Sequence, residues 1–221
     1  CKERNIALIE DAAQAHGASV KIEGELRMAG ALGTVSCFSF FPSKNVTVGG
    51  EGGMITSSHE EIGARIKSIV DHGRDGNLES QEVGTNLRMS EVFAAIGRKQ
   101  LVHLNAWLEK RCSHATTFTQ VVDANSNLRS PSVRPESNHA WHQFCIQTNN
   151  AERLVEHMND LHIDSRLIYP TPCHMHPVYA SHPQANETFS VTEALCRQLV
   201  SIPVHHGLTD EESARIVKAI E

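Results

Sequence analysis

The sequence has no window approaching the roughly 20 consecutive apolar residues that a membrane span needs. It also lacks a dense Lys/Arg stripe. Twenty basic against 26 acidic residues give a formal net charge of −6, which disfavours nucleic-acid binding. The six cysteines (Cys1, Cys37, Cys112, Cys145, Cys173, Cys196) are scattered, with no CxxC pair. That spacing excludes a disulfide framework and predicts a reduced, intracellular chain, placed in the cytoplasm. Neither a signal peptide nor an initiator Met opens the chain. Cys1-Lys2-Glu3-Arg4-Asn5 instead runs straight into apolar Ile6-Ala7-Leu8-Ile9, as a domain does when entered in its middle. The sequence is therefore expected to be a fragment, truncated at its front.

What is present describes an ordinary globular chain: 221 residues, 40% of them hydrophobic, with mixed charge. Ile6–Ile9 is short, apolar on both faces and followed by Glu10-Asp11, which suits a strand inside a parallel sheet. Val35 to Phe41 and Gly53 to Thr56 are further strand candidates. Ser58-His59-Glu60-Glu61 fits a capping box opening a helix, with Ile62, Ile66, Ile69 and Val70 at helical spacing. Residues 71–85 are polar and Gly-bearing, a loop. One long helix is expected from about Ser90 to Arg111. The Ser-, Asn- and Pro-rich stretch 125–137 marks a domain boundary, dividing the chain into 1–123 and 124–221. Beyond it, strands are expected at 142–147 and 163–169, and helices at 151–161, 191–200 and 209–220, together a small α+β domain.

Three segments carry chemistry. They are Glu10-Asp11-Ala12-Ala13-Gln14-Ala15-His16-Gly17-Ala18, then Ser39-Phe40-Phe41-Pro42-Ser43-Lys44-Asn45 with Gly49-Gly50-Glu51-Gly52-Gly53, and then Asn86-Leu87-Arg88-Met89 leading to Ala94-Ala95-Ile96-Gly97. Singly, each has a bland reading: a helix cap, a solvated lysine, a tight turn. The glycine run lacks the GxxxxGK[ST] order of a phosphate-cradling P-loop. Together, in this order and with Gly30-Ala31-Leu32-Gly33 before the second, they resemble the DegT/DnrJ/EryC1/StrS family of sugar aminotransferases. Tyr169-Pro170, Pro172, His174 and Ser201-Ile202-Pro203 extend that resemblance through the tail.

The resemblance implies an α/β fold of the pyridoxal-phosphate (PLP) fold-type-I class. Residues 1–123 would form the rear of the large cofactor-binding domain, and 124–221 the small C-terminal domain. It implies pyridoxal 5′-phosphate as cofactor, with Lys44 attached covalently to the cofactor aldehyde. Asp11 would hold the proton on the pyridine nitrogen, since an opposite charge favours the charged form. Gln14 would meet the ring oxygen, and Ser39 the phosphate. Asn86 would reach the phosphate of the other subunit, in a homodimer with shared active sites. The implied reaction passes an amino group, by resemblance from L-glutamate, to a keto group on a nucleotide-linked sugar.

Two rivals stay beside this reading. Family members with His in place of the lysine are PLP-dependent sugar dehydratases, against which Lys44 argues, and a truncated remnant could act as a non-catalytic binding module. His174-Met175-His176 and His205-His206 suggest metal, but no HExxH or paired CxxC accompanies them, so no metal site is expected. Ile168 and His162 depart from the His and Gly that the family often has there. Those departures concern the substrate-side loop and a helix end.

Overall fold

The computed structural model describes residues 1–76 and 78–221, the side chain of Lys2 apart; the loop expected at 71–85 thus includes one residue, Asn77, outside the described residues. The chain forms two compact units, Cys1–Leu108 with Val133–His142, and Glu109–Ser132 with Gln143–Glu221. The division falls inside a helix and returns ten residues to the first unit, whereas the expected boundary at 123/124 lies at that helix's C-terminal end.

The first unit opens with β1 (Ile9–Asp11), β2 (Ser19–Ile22), β3 (Glu25–Met28), β4 (Val35–Ser39) and β5 (Gly53–Thr56). One three-stranded sheet has the order β1-β4-β5, with β1 parallel to β4 and β5 antiparallel to it. The first strand sits later than its apolar run suggested. Leu8 is held just upstream by Thr34, whose side chain accepts from the Leu8 N–H at 3.1 Å and whose N–H donates to the Leu8 carbonyl at 2.7 Å. Regular pairing then begins at Ile9↔Val35.

Sequence reading missed the hairpin β2–β3. Its two-residue turn, Glu23-Gly24, has φ of 52° and 85°, the left-handed geometry of the turn type that matches strand twist. A two-residue strand, β6 (Ser137–Asn138), pairs with the other side of β2.

The helices of this unit correct two expectations. α1 (Glu60–Val70) is preceded by His59, which makes no side-chain cap, so the Ser58–Glu61 capping box does not form; Ser57 Oγ accepts from the His59 N–H instead. The single helix expected from Ser90 to Arg111 is two: α2 (Glu91–Leu101) and α3 (Leu104–Ala124). Ser90 caps α2 by accepting from the Phe93 N–H. Near its end the side-chain oxygen of Gln100 accepts from the Thr47 N–H at 2.9 Å, and the chain turns at Val102-His103 before α3 begins.

The second unit takes the rest of α3, then β7 (Phe144–Gln147), α4 (Ala151–Asp160), β8 (Arg166–Leu167), α5 (Ser190–Gln198), β9 (Leu199–Ile202) and α6 (Asp210–Ile220). Its sheet has the order β7-β9-β8, antiparallel throughout. Two expectations shorten here. The strand foreseen at 163–169 pairs only at Arg166-Leu167, because Ser165 is tied by its N–H and hydroxyl to Asn159. The helix foreseen to Val200 stops at Gln198, where Leu-Val-Ser-Ile alternates buried and half-buried positions and joins the sheet instead.

The core of this unit comprises Phe118 and Val122 of α3 with Phe144, Ile146, Met158 and Val200, all fully buried. Phe118 meets Phe144 edge-on at 5.7 Å between ring centroids. Arg111 is also buried; its Nη1 donates to the Val204 carbonyl at 2.6 Å, and burial pushes its pKa down to about 10.

Thr209 closes the capping box that the sequence foresaw, its hydroxyl and the Glu212 carboxylate each taking the other's backbone N–H. Thr209→Ala is expected to lower stability by about 1 kcal/mol, and Phe144→Ala by about 3–5 kcal/mol. Urea unfolding midpoints of the two variants check that ranking.

Candidate active site

The register of β1 against β4 assembles the site. Asp11 pairs with Cys37, and the ladder runs one bond further, from the Ala12 N–H to the Cys37 carbonyl at 2.9 Å. Side chains alternate across a strand, so Asp11, Cys37 and Ser39 lie on one face and Glu10 and Ser36 on the other. Asp11 is exposed and its Oδ1 accepts from the Ala13 N–H at 3.0 Å, a short turn that leads the chain away from the strand end. Gln14, three residues on, is exposed. Ser39 is half-buried, and its Oγ accepts from the Phe41 N–H at 3.3 Å.

Lys44 is half-buried on the loop that leaves β4. Its neighbours fix the loop on both sides. Asn45 is buried and its Nδ2 donates to the Ala140 carbonyl at 2.8 Å. Phe40, Val46 and Val48 form a core with Met89, Phe93 and Leu104 packed against it. The glycine run follows from that core. A Cβ at Gly52 would lie 2.7 Å from Val48 and 2.9 Å from Met89, and one at Gly50 would lie 2.9 Å from Phe93. Gly97 on α2 meets Val48 the same way, at 3.1 Å. The Gly49–Gly53 segment and the Ala-Ala-Ile-Gly helix are thus packing surfaces for the lysine loop.

Two residues escaped the sequence reading as site components. His16 is 3% exposed, and its ring lies 5.4 Å from Phe38 and 5.7 Å from Phe40 by centroids. Neither ring nitrogen has a hydrogen-bond partner. Burial pushes its pKa down, the nearby Lys44 charge pushes the same way, and the Ser39 backbone opposes them. His16 therefore joins the first segment to the lysine loop. The signal was its place between Gln14 and Gly17, which pattern alone could not distinguish from a surface histidine. Glu10, the second, takes three backbone N–H groups and a hydroxyl.

Asn86 stands apart from this group. It pairs with Asp71 in an isolated bridge, and its Oδ1 accepts from Arg88 Nε at 3.2 Å. Among the described residues no hydrogen bond joins it to Asp11, Gln14, Ser39 or Lys44. Of the tail histidines, His174 lies 3.5 Å from Glu193 and edge-on to Phe189. Among the described residues, no group of three or more His, Cys, Asp or Glu side chains is arranged to hold a metal ion. No described helix is long and apolar enough to cross a membrane.

A mixed α/β chain with a carboxylate, a hydroxyl and a half-buried lysine at the ends of neighbouring strands matches the aminotransferases in fold. S. venezuelae DesV, in an X-ray crystal structure with a ketimine intermediate, superposes with a TM-score of 0.93 at 30% identity, over 99% of this chain and 58% of that one. An aminotransferase from Brucella abortus superposes with a TM-score of 0.89 at 25% identity, over 99% of this chain and 57% of that one. The model of the DegT/DnrJ/EryC1/StrS aminotransferase family matches residues 1–221, and the chain belongs to that family.

Relatives include the dTDP-3-amino-3,4,6-trideoxy-alpha-D-glucose transaminase of Streptomyces venezuelae, 30% identical over 96% of this chain and 55% of its own length. The UDP-N-acetyl-3-dehydro-alpha-D-glucosamine 3-aminotransferase of Acidithiobacillus ferrooxidans is 31% identical, over 99% of this chain and 58% of its own length. The chain thus spans little more than half the length of these relatives.

The buried imidazole gives a pH dependence. Its folded pKa lies below the ordinary value of 6.5, so its contribution is full above about pH 6.5 and is lost as pH falls below it, levelling once the folded form protonates too. His139, His205 and His206 are lowered by burial in the same direction and share the trend. His16→Leu is therefore expected to lose less stability than the parent between pH 7.5 and pH 5.5, in urea unfolding at both. Equal losses would contradict a neutral buried His16.

Proposed function

We propose that the chain is the PLP-binding part of a sugar aminotransferase of fold type I, moving an amino group from an amino acid such as L-glutamate to the keto group of a nucleotide-linked sugar. The observation that carries this is the β1–β4 pair. Asp11 leaves its C-terminal end on the face of Ser39, and Lys44 follows on a loop anchored by buried Asn45 and Val46. The donor set fits PLP: a carboxylate for a ring nitrogen, a hydroxyl for a phosphate, and an amine for an aldehyde. The names of the relatives, transaminases of dTDP- and UDP-linked sugars, support the substrate class.

When bound, PLP supplies an electron sink that stabilises negative charge at the amine-bearing carbon. The chain's own residues supply the rest. Asp11 would hold the proton on the ring nitrogen, keeping the sink electron-poor. Gln14 would meet the ring oxygen and Ser39 would bind the phosphate. Lys44 would anchor the cofactor and, once released, carry the proton between the reacting carbons. Buried Phe40 and half-buried Phe38 pack against the buried His16 ring beside this loop. Asn86, exposed and apart from the other four, is free in position to serve a second copy of the chain, as a homodimer with shared sites requires.

Borohydride reduction of the chain with PLP, followed by peptide mapping, tests the reading. A phosphopyridoxyl adduct confined to the peptide containing Lys44, and lost in Lys44→Ala, is the expected result. Asp11→Asn is expected to weaken PLP binding by about tenfold or more, the loss of one charged hydrogen bond. A folded parent chain without the Lys44 adduct would overturn the proposal.

A further inference from the structure

Glu10 and Asp11 are adjacent acids at the end of one strand, and the pleat sends them to opposite faces. The Glu10 side chain folds back beneath β4. Its Oε2 accepts from the Gly30 N–H at 2.9 Å; its Oε1 accepts from the Leu32 N–H at 2.7 Å, the Gly33 N–H at 2.6 Å and the Ser36 hydroxyl at 2.6 Å. Four donors thus converge on one carboxylate, from the turn that launches β4 and from the β4 residue directly opposite Glu10 in register.

The Gly30-x-x-Gly33 spacing is explained by this clamp. Gly30 has a φ of +92°, and a Cβ there would strike the Phe38 ring. At Gly33 a Cβ would lie 2.7 Å from the Leu8 carbonyl and 3.1 Å from Glu10 Cγ. The turn exists in the shape that presents its N–H groups to Glu10. Although burial raises the carboxyl's pKa, the Ser36 hydroxyl and the three N–H groups outweigh it and hold the carboxyl below the usual value. The group is an anion at neutral pH, in a fixed place.

We propose that Glu10 is a positioning residue for the candidate site: by clamping the Gly30–Gly33 turn and Ser36 to β1, it sets the direction in which Asp11 leaves the sheet relative to Ser39 and Lys44. The Asp11 side chain has no such anchor of its own: among the described residues its one hydrogen bond is accepted from the Ala13 N–H. A slip or loosening of β1 against β4 would move Asp11 directly, since the pairing has three registered positions. The inference rests on the PLP reading of the site.

Glu10→Gln tests it, because the amide places an N–H₂ donor where the turn presents donors. Parent and variant are loaded with PLP. The dissociation constant is measured, and the visible absorbance band of the Lys44-linked cofactor is followed from pH 5 to 10. The expected result is a PLP dissociation constant about tenfold higher and a band midpoint shifted upward by roughly half a pH unit: a displaced Asp11 holds the ring proton less firmly, the ring then withdraws less electron density, and the nitrogen joining Lys44 to the cofactor keeps its own proton to higher pH.

Ser36→Ala removes one of the four donors and serves should Glu10→Gln fail to fold. It is expected to move both readouts the same way, by about threefold in the dissociation constant. A purely structural role would lower the unfolding midpoint but leave the dissociation constant within about twofold and the band midpoint fixed; that outcome overturns the inference. A parent chain with no Lys44 adduct would overturn the PLP reading and this inference with it. A parent adduct beside unchanged variants would overturn the inference alone.

Discussion

Strands that run the same way must be joined by a crossover, so their C-terminal ends emerge on one side of the sheet. β1 and β4 are such a pair, and the four residues proposed to hold the chain's own cofactor leave from that side: Asp11 and Gln14 from one strand, Ser39 and Lys44 from the next. The antiparallel β5 returns the chain beside β4, where the Phe40 N–H donates to the Gly52 carbonyl at 2.8 Å and closes the lysine loop against its own glycine turn. Two of the three segments that stood out in the sequence are therefore adjacent in space because one parallel pair and one antiparallel pair share a strand.

The glycines show how chemistry and packing divide the labour. None of those at 50, 52 or 97 offers a functional group; each leaves out a Cβ that Val48, Met89 or Phe93 would otherwise meet. Their effect is to let a loop bearing a lysine lie flat on an apolar core. The lysine's neighbours, buried Asn45 and Val46, fix the backbone while Lys44 itself stays partly open. A rigid base beneath a reachable amine is what covalent attachment of a cofactor requires.

Much of this was legible in the sequence, and the failures have physical causes. β4, β5, α4 and the capped α6 declare themselves through apolar runs, period and end signals, and the order of the three segments identified the family. The hairpin β2–β3 did not, because its residues Val20, Lys21, Ile22 and Leu26 are mostly exposed and carry no clean alternation. The split between α2 and α3 was invisible because no Gly or Pro marks it: the chain turns at Val102-His103, where the His103 N–H donates to the Gln100 carbonyl at 2.9 Å, a backbone bond that residue types do not announce. Glu10 was hidden for a related reason. Its partners are backbone N–H groups, and composition does not reveal which backbone groups a carboxylate will meet. His16 looked like any histidine until two aromatic rings closed over it.

The strand β6 pairs with β2 across most of the chain, and Asn138 Nδ2 donates to Ser19 Oγ at 2.8 Å over a separation of 119 residues. Asn45 likewise waits for the Ala140 carbonyl, 95 residues on. On a ribosome, the lysine loop would therefore emerge long before the backbone that anchors it. Contacts so distant in sequence form slowly, since the loop they close is long. The carboxylate and the hydroxyl can take their spacing from the nearby β1–β4 pair, but the amine's loop would gain its buried anchor only after residues beyond α3 had folded back onto Asn45.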